Sequence, residues 1–306
     1  MRTSPLPAGY QYRRPSWRRP LTVLSVIVVL LILVGVGGYT IYNKYLFPIL
    51  NQPGCSAGTG ANKISLDFGQ AADTATIAGV AARMKLPTQA LTVAYATAYQ
   101  ESKWENLNYG DQDSHGIFQQ QADVGVWGTV AETENPEFAS TSFFTALVKV
   151  PNYTTLPVSV AAQDVQKSAD GSAYQQWAAQ GANLAADYTS APHAVTCWFN
   201  PTAQAQAQGV SPALNLHGAA TKLDEVFGTP GQASALTDVT RTASGSADEI
   251  TTTSGAGWTV ADWLVANASS YGITQVSYDG YRWSANLKET SWQPDASASA
   301  SDIVAS

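Results

Sequence analysis

The alternation of apolar and polar positions divides the chain into stretches of different character. Leu21–Tyr42 is a nearly unbroken apolar run of 22 residues, long enough as a helix to cross a hydrocarbon layer of about 30 Å. From Gln70 the pattern changes to a helical period, with Ala71, Ile77, Val80, Ala81 and Met84 recurring at three- and four-residue steps. Leu86-Pro87 ends that helix, and Pro87 suits the start of a second one over about Thr88–Ser102. Asn106–Gln121, with Gly110, Gly116 and several Asn and Asp residues, predicts turns rather than a long helix. Helical spacing returns in Pro136–Val150 (Phe138, Phe143, Phe144, Leu147), Pro157–Ser168 and Ser172–Tyr188.

Beyond Phe199 the apolar signal thins. Pro201–Gly257 is rich in Ala, Gln, Gly, Ser and Thr and reads as linker with one helix at Ala213–Phe227. Trp258–Trp292 recovers a pattern, first helical and then alternating. There Ile273–Tyr278 and Tyr281–Ser284 flank Asp279-Gly280, a two-residue hairpin turn. Its aromatics, among them Trp258, Trp263, Trp283 and Trp292, suit either a small core or a sugar-stacking surface, with core favoured. The expected layout is therefore a tail (1–20), a membrane anchor (21–42), a stalk with Pro48, Pro53 and Gly54 (43–65), a helical domain (66–198), a linker (199–257), a small α-β-β unit (258–294) and a disordered end (295–306).

Charge adds direction to this layout. Six of the 16 basic residues lie in the first 44 positions, which hold no acid, and four arginines closely precede the apolar run. That asymmetry predicts a cytoplasmic N-terminus and a single-pass anchor with the remainder outside the cell membrane. The alternative is a cleavable signal peptide, for which Val34–Gly38 is the nearest small-residue patch, with no Ala-x-Ala site after the run. Residues 45–306 hold 10 basic and 23 acidic residues, a balance that argues against nucleic acid or anionic lipid as a partner of this part. Binding of a sugar polymer, through stacking and hydrogen bonds, is not opposed. The only two cysteines, Cys55 and Cys197, lie on the outer side. In an oxidising compartment one disulfide is the simplest pairing, two buried thiols the alternative.

The candidate chemistry centres on Thr97–Gln121. Glu101 closes an Ala-rich helix, flanked by Tyr99 and Trp104, where partial desolvation would raise its pKa. Glu101-Ser102, followed fifteen residues later by Gly116-Ile117-Phe118-Gln119, resembles the signature of the soluble lytic transglycosylase family, bacterial enzymes with a lysozyme-like fold. The resemblance spans roughly residues 70–190. It implies a mainly α, lysozyme-like domain with a small β-like lobe, acting on peptidoglycan glycan strands. It gives Glu101 the acid/base role and places Ser114, Gly116, Ile117, Phe118 and Gln119 along the cleft. Many members carry Ala-Tyr-Asn-x-Gly near the active site, where this chain has Ala162-Gln-Asp-Val-Gln-Lys-Ser168. Tyr174 or Gln166 are the candidates to substitute there.

Other chemistries find no support. His115, His193 and His217 are too few and scattered for a zinc peptidase, so no metal or cofactor is expected. Neither a phosphate-cradling Gly loop nor a Gly-x-Ser-x-Gly elbow occurs. A hydrolase would need a second carboxylate, for which Asp111 and Asp113 are candidates, although Asp in such a loop commonly caps its own turn. A wall-binding scaffold without turnover is the alternative of another class. Trp127, in Gly125-Val-Trp-Gly128, fits either a core position or a sugar platform. Protein partners are not legible.

Overall fold

A computed structural model describes residues 18–47, 52–168, 170–209, 213–230, 234–241, 245–253 and 255–306. Most of the expected tail therefore lies outside the described residues. The chain divides into two units, Met1–Gln52 and Pro53–Ser306. In the first, helix α1 (Arg18–Ile41) continues as a π-helical turn, Tyr42–Leu46. Within Val23–Leu46 an 18-residue window has a mean hydropathy of 2.5, and none of that window is buried within the protein. At 1.5 Å per residue its 24 residues span about 36 Å, long and apolar enough to cross a membrane.

The second unit opens with strands β1 (Gly54–Ala57) and β2 (Ile64–Leu66), taken from the stretch read as a stalk. Helix α2 (Phe68–Arg83) starts at a capping box in which Asp67 and Gln70 satisfy each other's backbone N–H. Helix α3 (Thr88–Ser102) follows, then two minimal strands, β3 (Ser114–His115) and β4 (Gln120–Gln121). Helices α4 (Val130–Thr133), α5 (Pro136–Leu147) and α6 (Val158–Gln166) lead to a 3-10 helix, Gly171–Trp177, and to α7 (Ala178–Thr189). Strand β5 (Val195–Trp198) returns to β1. Helices α8 (Pro201–Gln208) and α9 (Leu216–Phe227), strands β6 (Leu236–Arg241) and β7 (Asp248–Thr252), and helices α10 (Gly257–Ala266) and α11 (Ala268–Tyr271) follow. Strands β8 (Gln275–Tyr278), β9 (Tyr281–Ser284), β10 (Gln293–Pro294) and β11 (Asp302–Ala305) complete the chain. Helices predominate among the described residues, alongside two antiparallel sheets, β2-β1-β5 and β10-β9-β8-β11-β7-β6, and the small β3-β4 ladder.

Two parts of the expected layout change. The linker supplies α8, α9, β6 and β7, and the expected disordered end supplies β11, an inner strand between β8 and β7. Helix α9 falls on the one helix expected there, whereas the strands gave a thin signal because each buries few apolar side chains: Leu236 in β6, Ile250 in β7, Ile303 and Ala305 in β11. The burial of Ile250 and Ile303 is completed by partners more than fifty residues away, with Ile303 opposite Ile250, and no local window can show that. Deleting Ser301–Ser306 should therefore cost about 3 kcal/mol or more, from one buried Ile, one buried Ala and two ladders. A thermal melt of the truncated chain checks it, and an unchanged midpoint would refute the placement.

The C-terminal unit does not stand apart either. Trp263 of α10 is buried and its indole donates to Thr76 Oγ1 of α2 at 3.4 Å. Strand β5 is an edge strand, and its outward groups are taken by side chains from this unit. The indoles of Trp283 and Trp292 each donate at 2.8 Å, to Cys197 O and Val195 O, while Asp262 Oδ1 accepts from Val195 N. Capping an edge in this way leaves no unpaired ladder to recruit another strand. The aromatics of the C-terminal unit thus serve core and edge. The hairpin matches the expected register, Tyr278 facing Tyr281, with Asp279 and Gly280 both at positive φ as its turn type requires.

Candidate active site

Helix α3 is rich in small residues because α7 crosses it closely. A Cβ on Gly181 would lie 2.7 Å from Thr92 O and 3.3 Å from the Ala96 side chain. The helix ends at Lys103, whose left-handed conformation caps the last turn, and Trp104 also has positive φ. This double reversal folds Trp104 back into the core, where its indole donates to Tyr95 O at 2.9 Å. Glu101 therefore stands on the last turn before the chain reverses, on a buried and rigid support.

The turn-rich stretch is anchored in four places. Ser102 Oγ donates to Ile117 O at 2.8 Å, tying the end of α3 to the predicted Gly-Ile-Phe-Gln segment. Gly116, at φ 77, packs so tightly that a Cβ would meet Thr133 O at 1.9 Å, so only glycine fits. His115 sits between two carboxylates, 3.0 Å from Glu134 Oε1 and 3.1 Å from Asp113 Oδ1. The hydrogen bond to Asp113 does most to hold its imidazolium above the usual histidine range. At the stretch's start, Asp73 accepts from the Asn106 backbone and is pushed up to about 7, chiefly by burial.

Glu101 Oε1 receives two donors: Tyr174 Oη at 2.6 Å and Gln166 Nε2 at 3.3 Å. Gln166, at the C-terminal end of α6, also donates to Phe118 O at 2.7 Å, and so bridges the carboxylate to the opposite wall. Burial raises the Glu101 pKa above the usual carboxylate range, and the two hydrogen bonds, which favour the anion, offset only part of that. Tyr99 packs against Trp104 and Trp177 with 4.5 Å between centroids in each case.

Glu101 opens into a cleft of about 430 Å³, walled by the β3-β4 segment, by Trp127 and by Gln166–Ser168. Of the residues expected along it, Ser114 and Gln119 line it, and so does Asp111. Ile117 and Phe118 do not; both are fully buried, Phe118 stacked on Phe143 at 4.4 Å, and they reach the site only through their carbonyls. An apolar pair between Gly116 and polar Gln119–Gln121 is drawn into the core by the same burial that shapes the loop. Gly116 supports the wall from behind, and Tyr174 contacts the carboxylate rather than lining the open space. Asp113 lies outside the lining, turned to His115. Trp127 is half-buried against the core and forms part of the wall.

Gln120 and Gln121 were not singled out by sequence reasoning, yet both line the cleft. Gln120 is buried, its amide donating to Ala139 O, and its Oε1 has no partner among the described residues; nor has Gln166 Oε1. Two buried acceptors without partners thus belong to residues that line one cleft, where a ligand bringing N–H or O–H donors is suited. The run Gln119-Gln120-Gln121 was the available signal. Comparison with protein-family models gives no match, and neither does comparison with curated proteins. Among the described residues no group of three or more His, Cys, Asp and Glu side chains could hold a metal ion.

Proposed function

We propose that the body of this protein is a peptidoglycan-cleaving enzyme of the lytic transglycosylase type, in a lysozyme-like arrangement, with Glu101 as its acid and base. The observation that carries this reading is a lone carboxylic acid with a raised pKa, oriented by Tyr174 and Gln166 and opening into a glycan-sized, amide-lined cleft. Cleaving a glycosidic bond needs a proton on the leaving oxygen, and an acid that keeps its proton toward neutral pH supplies it. The deprotonated Glu101 then takes the proton of the substrate's own 6-hydroxyl as that oxygen attacks the anomeric carbon. The bond to the leaving sugar breaks and a 1,6-anhydro ring forms, so no water is consumed and Glu101 ends protonated as it began.

The second carboxylate that a hydrolase requires is poorly supplied. Asp113 is engaged with His115, which leaves Asp111 at the rim of the cleft. The unpaired Oε1 atoms of Gln120 and Gln166 suit the hydroxyl and acetamido donors of a wall sugar, and Trp127 offers a stacking face. The N-terminal apolar helix, preceded by arginines, would anchor the body on the outer face of the cell membrane, within reach of the wall. Mass spectrometry of products from purified glycan strands should find 1,6-anhydro ends. Reducing-end sugars, together with loss of activity in Asp111→Asn, would assign a lysozyme-type hydrolase instead. No cleavage at all by the wild type would favour a wall-binding scaffold.

A further inference from the structure

A second polar cavity lies on the β2-β1-β5 sheet, and none of its lining residues belongs to the Glu101 cleft. Side chains alternate across a strand, so the face opposite the Cys55–Cys197 pair carries Ser56 and Thr196, which face each other across β1 and β5. Both are buried, Ser56 completely and Thr196 to 6 % exposure, and neither hydroxyl has a hydrogen-bond partner among the described residues. They lie beside a cavity of about 320 Å³ walled by Gly58–Gly60 and Lys63 on one side, and by His193 and Thr290–Trp292 on the other. Sequestering two hydroxyls without partners is costly unless a ligand or water completes them.

The chemistry of the lining selects the ligand. Ser56, Lys63, His193 and Thr196, with the hydroxyls of the loops, all offer donors, and no carboxylate lines the cavity. Asp187 is outside this lining, with its Oδ2 against Gly58. One lysine among hydroxyls suits a monoanion; a phosphate group is usually met by several cations or a helix N-terminus. An apolar part is accommodated as well. The His193 ring lies 4.3 Å from Tyr281 and 5.6 Å from Trp258, and Trp258 packs on Trp292 at 5.3 Å, so aromatic surface borders the donors. His193 itself holds a left-handed backbone, φ 45, a conformation uncommon outside glycine and frequent at binding sites.

We propose that this pocket binds the free carboxylate end of a short peptide, the carboxylate meeting Ser56, Thr196 and Lys63 and the adjoining side chain resting on the aromatic wall. The volume is at the lower end for small-molecule sites and admits about two residues. The proposal stands whether or not the Glu101 cleft cleaves glycan.

Isothermal titration of the full chain in detergent micelles with acetyl-Ala-Ala, and with its C-terminal amide, tests it. The acid should bind with a Kd at or below about 1 mM, and the amide at least about tenfold more weakly. Ser56→Ala and Lys63→Gln should each weaken the acid about tenfold. Ser56→Ala should keep the wild-type melting temperature, because the lost hydroxyl had no partner to leave behind. Lys63 is exposed, so its variant reports on binding even if the buried substitution perturbs the sheet. Absence of binding, equal binding of acid and amide, unaltered binding in both variants, or displacement of the peptide by equimolar inorganic phosphate would each overturn the proposal.

Discussion

Glu101→Gln lowers glycan cleavage by about 10³-fold or more while leaving the protein folded and able to hold glycan. The amide cannot give up a proton to the leaving oxygen, which accounts for the loss. It can still accept from Tyr174 and Gln166, because both bonds in the wild type converge on a single oxygen, Oε1. The thermal effect has a definite sign. A carboxyl whose folded pKa is raised contributes stability that is fully present below its unfolded value, and that contribution is lost as pH rises through the folded value. At neutral pH the neutral amide should therefore match or exceed the wild-type melting temperature. Turnover close to wild type in this variant would remove Glu101 from the chemistry. Tyr174→Phe provides a companion measurement. Removing a bond that favours the anion raises the Glu101 pKa further, so the alkaline limb of the pH–rate profile should move to higher pH. The rate at the optimum should fall by about 10- to 100-fold, the worth of one hydrogen bond to a charged group. A limb that stays in place, or moves down, would contradict the anion-stabilising role of this tyrosine.

The other large effect concerns the disulfide. Cys55 and Cys197 face each other across β1 and β5 and are bonded, closing a separation of 142 residues. On the chain-entropy estimate such a closure stabilises by about 5 kcal/mol. For a body of this size each kcal/mol corresponds to about 2–4 °C, so Cys55→Ser/Cys197→Ser should melt about 10–20 °C lower. The wild type under strong reductant should show the same shift. The reason the bridge matters is topological: β1 begins the folded body, and its ladders to β2 and β5 are only three and four residues long. A double variant melting within a few degrees of wild type would mean that the indole and carboxylate caps on β5 hold that strand without the bridge.

Local periodicity is enough to determine those elements that bury a continuous stripe. Helix α2, the Glu101 helix α3 and the membrane-length helix α1 all fall where their apolar spacing places them, because a helix of 15 residues or more repeats its signal over several turns. The Asp279-Gly280 hairpin is equally local, since its turn needs positive φ at two adjacent residues. The cysteine pair was legible by elimination, there being only two. Glu101 was legible as a candidate from its place at the end of a small-residue helix. Of what it touches, Tyr174 and Gln166 were named only through the family resemblance, and their convergence on one oxygen was not legible.

Tyr174 and Gln166 lie 73 and 65 residues from Glu101 in sequence, and only the packing of α6 and the following 3-10 helix brings them to one oxygen. The same holds for Gln120, whose neighbours Ile117 and Phe118 go into the core while it faces the cleft. It holds again for β11, an Asp-Ile-Val-Ala strand set in Ser- and Ala-rich chain that reads as disorder until β8 and β7 supply its two edges. In each case the deciding energy is long-range: desolvation of a carboxyl, completion of a ladder, burial of one or two apolar side chains by distant partners. Composition and spacing record what a segment can bury by itself. The acidity of Glu101, the amide-lined cleft and the hydroxyl pocket behind the disulfide come from what other segments bury for it.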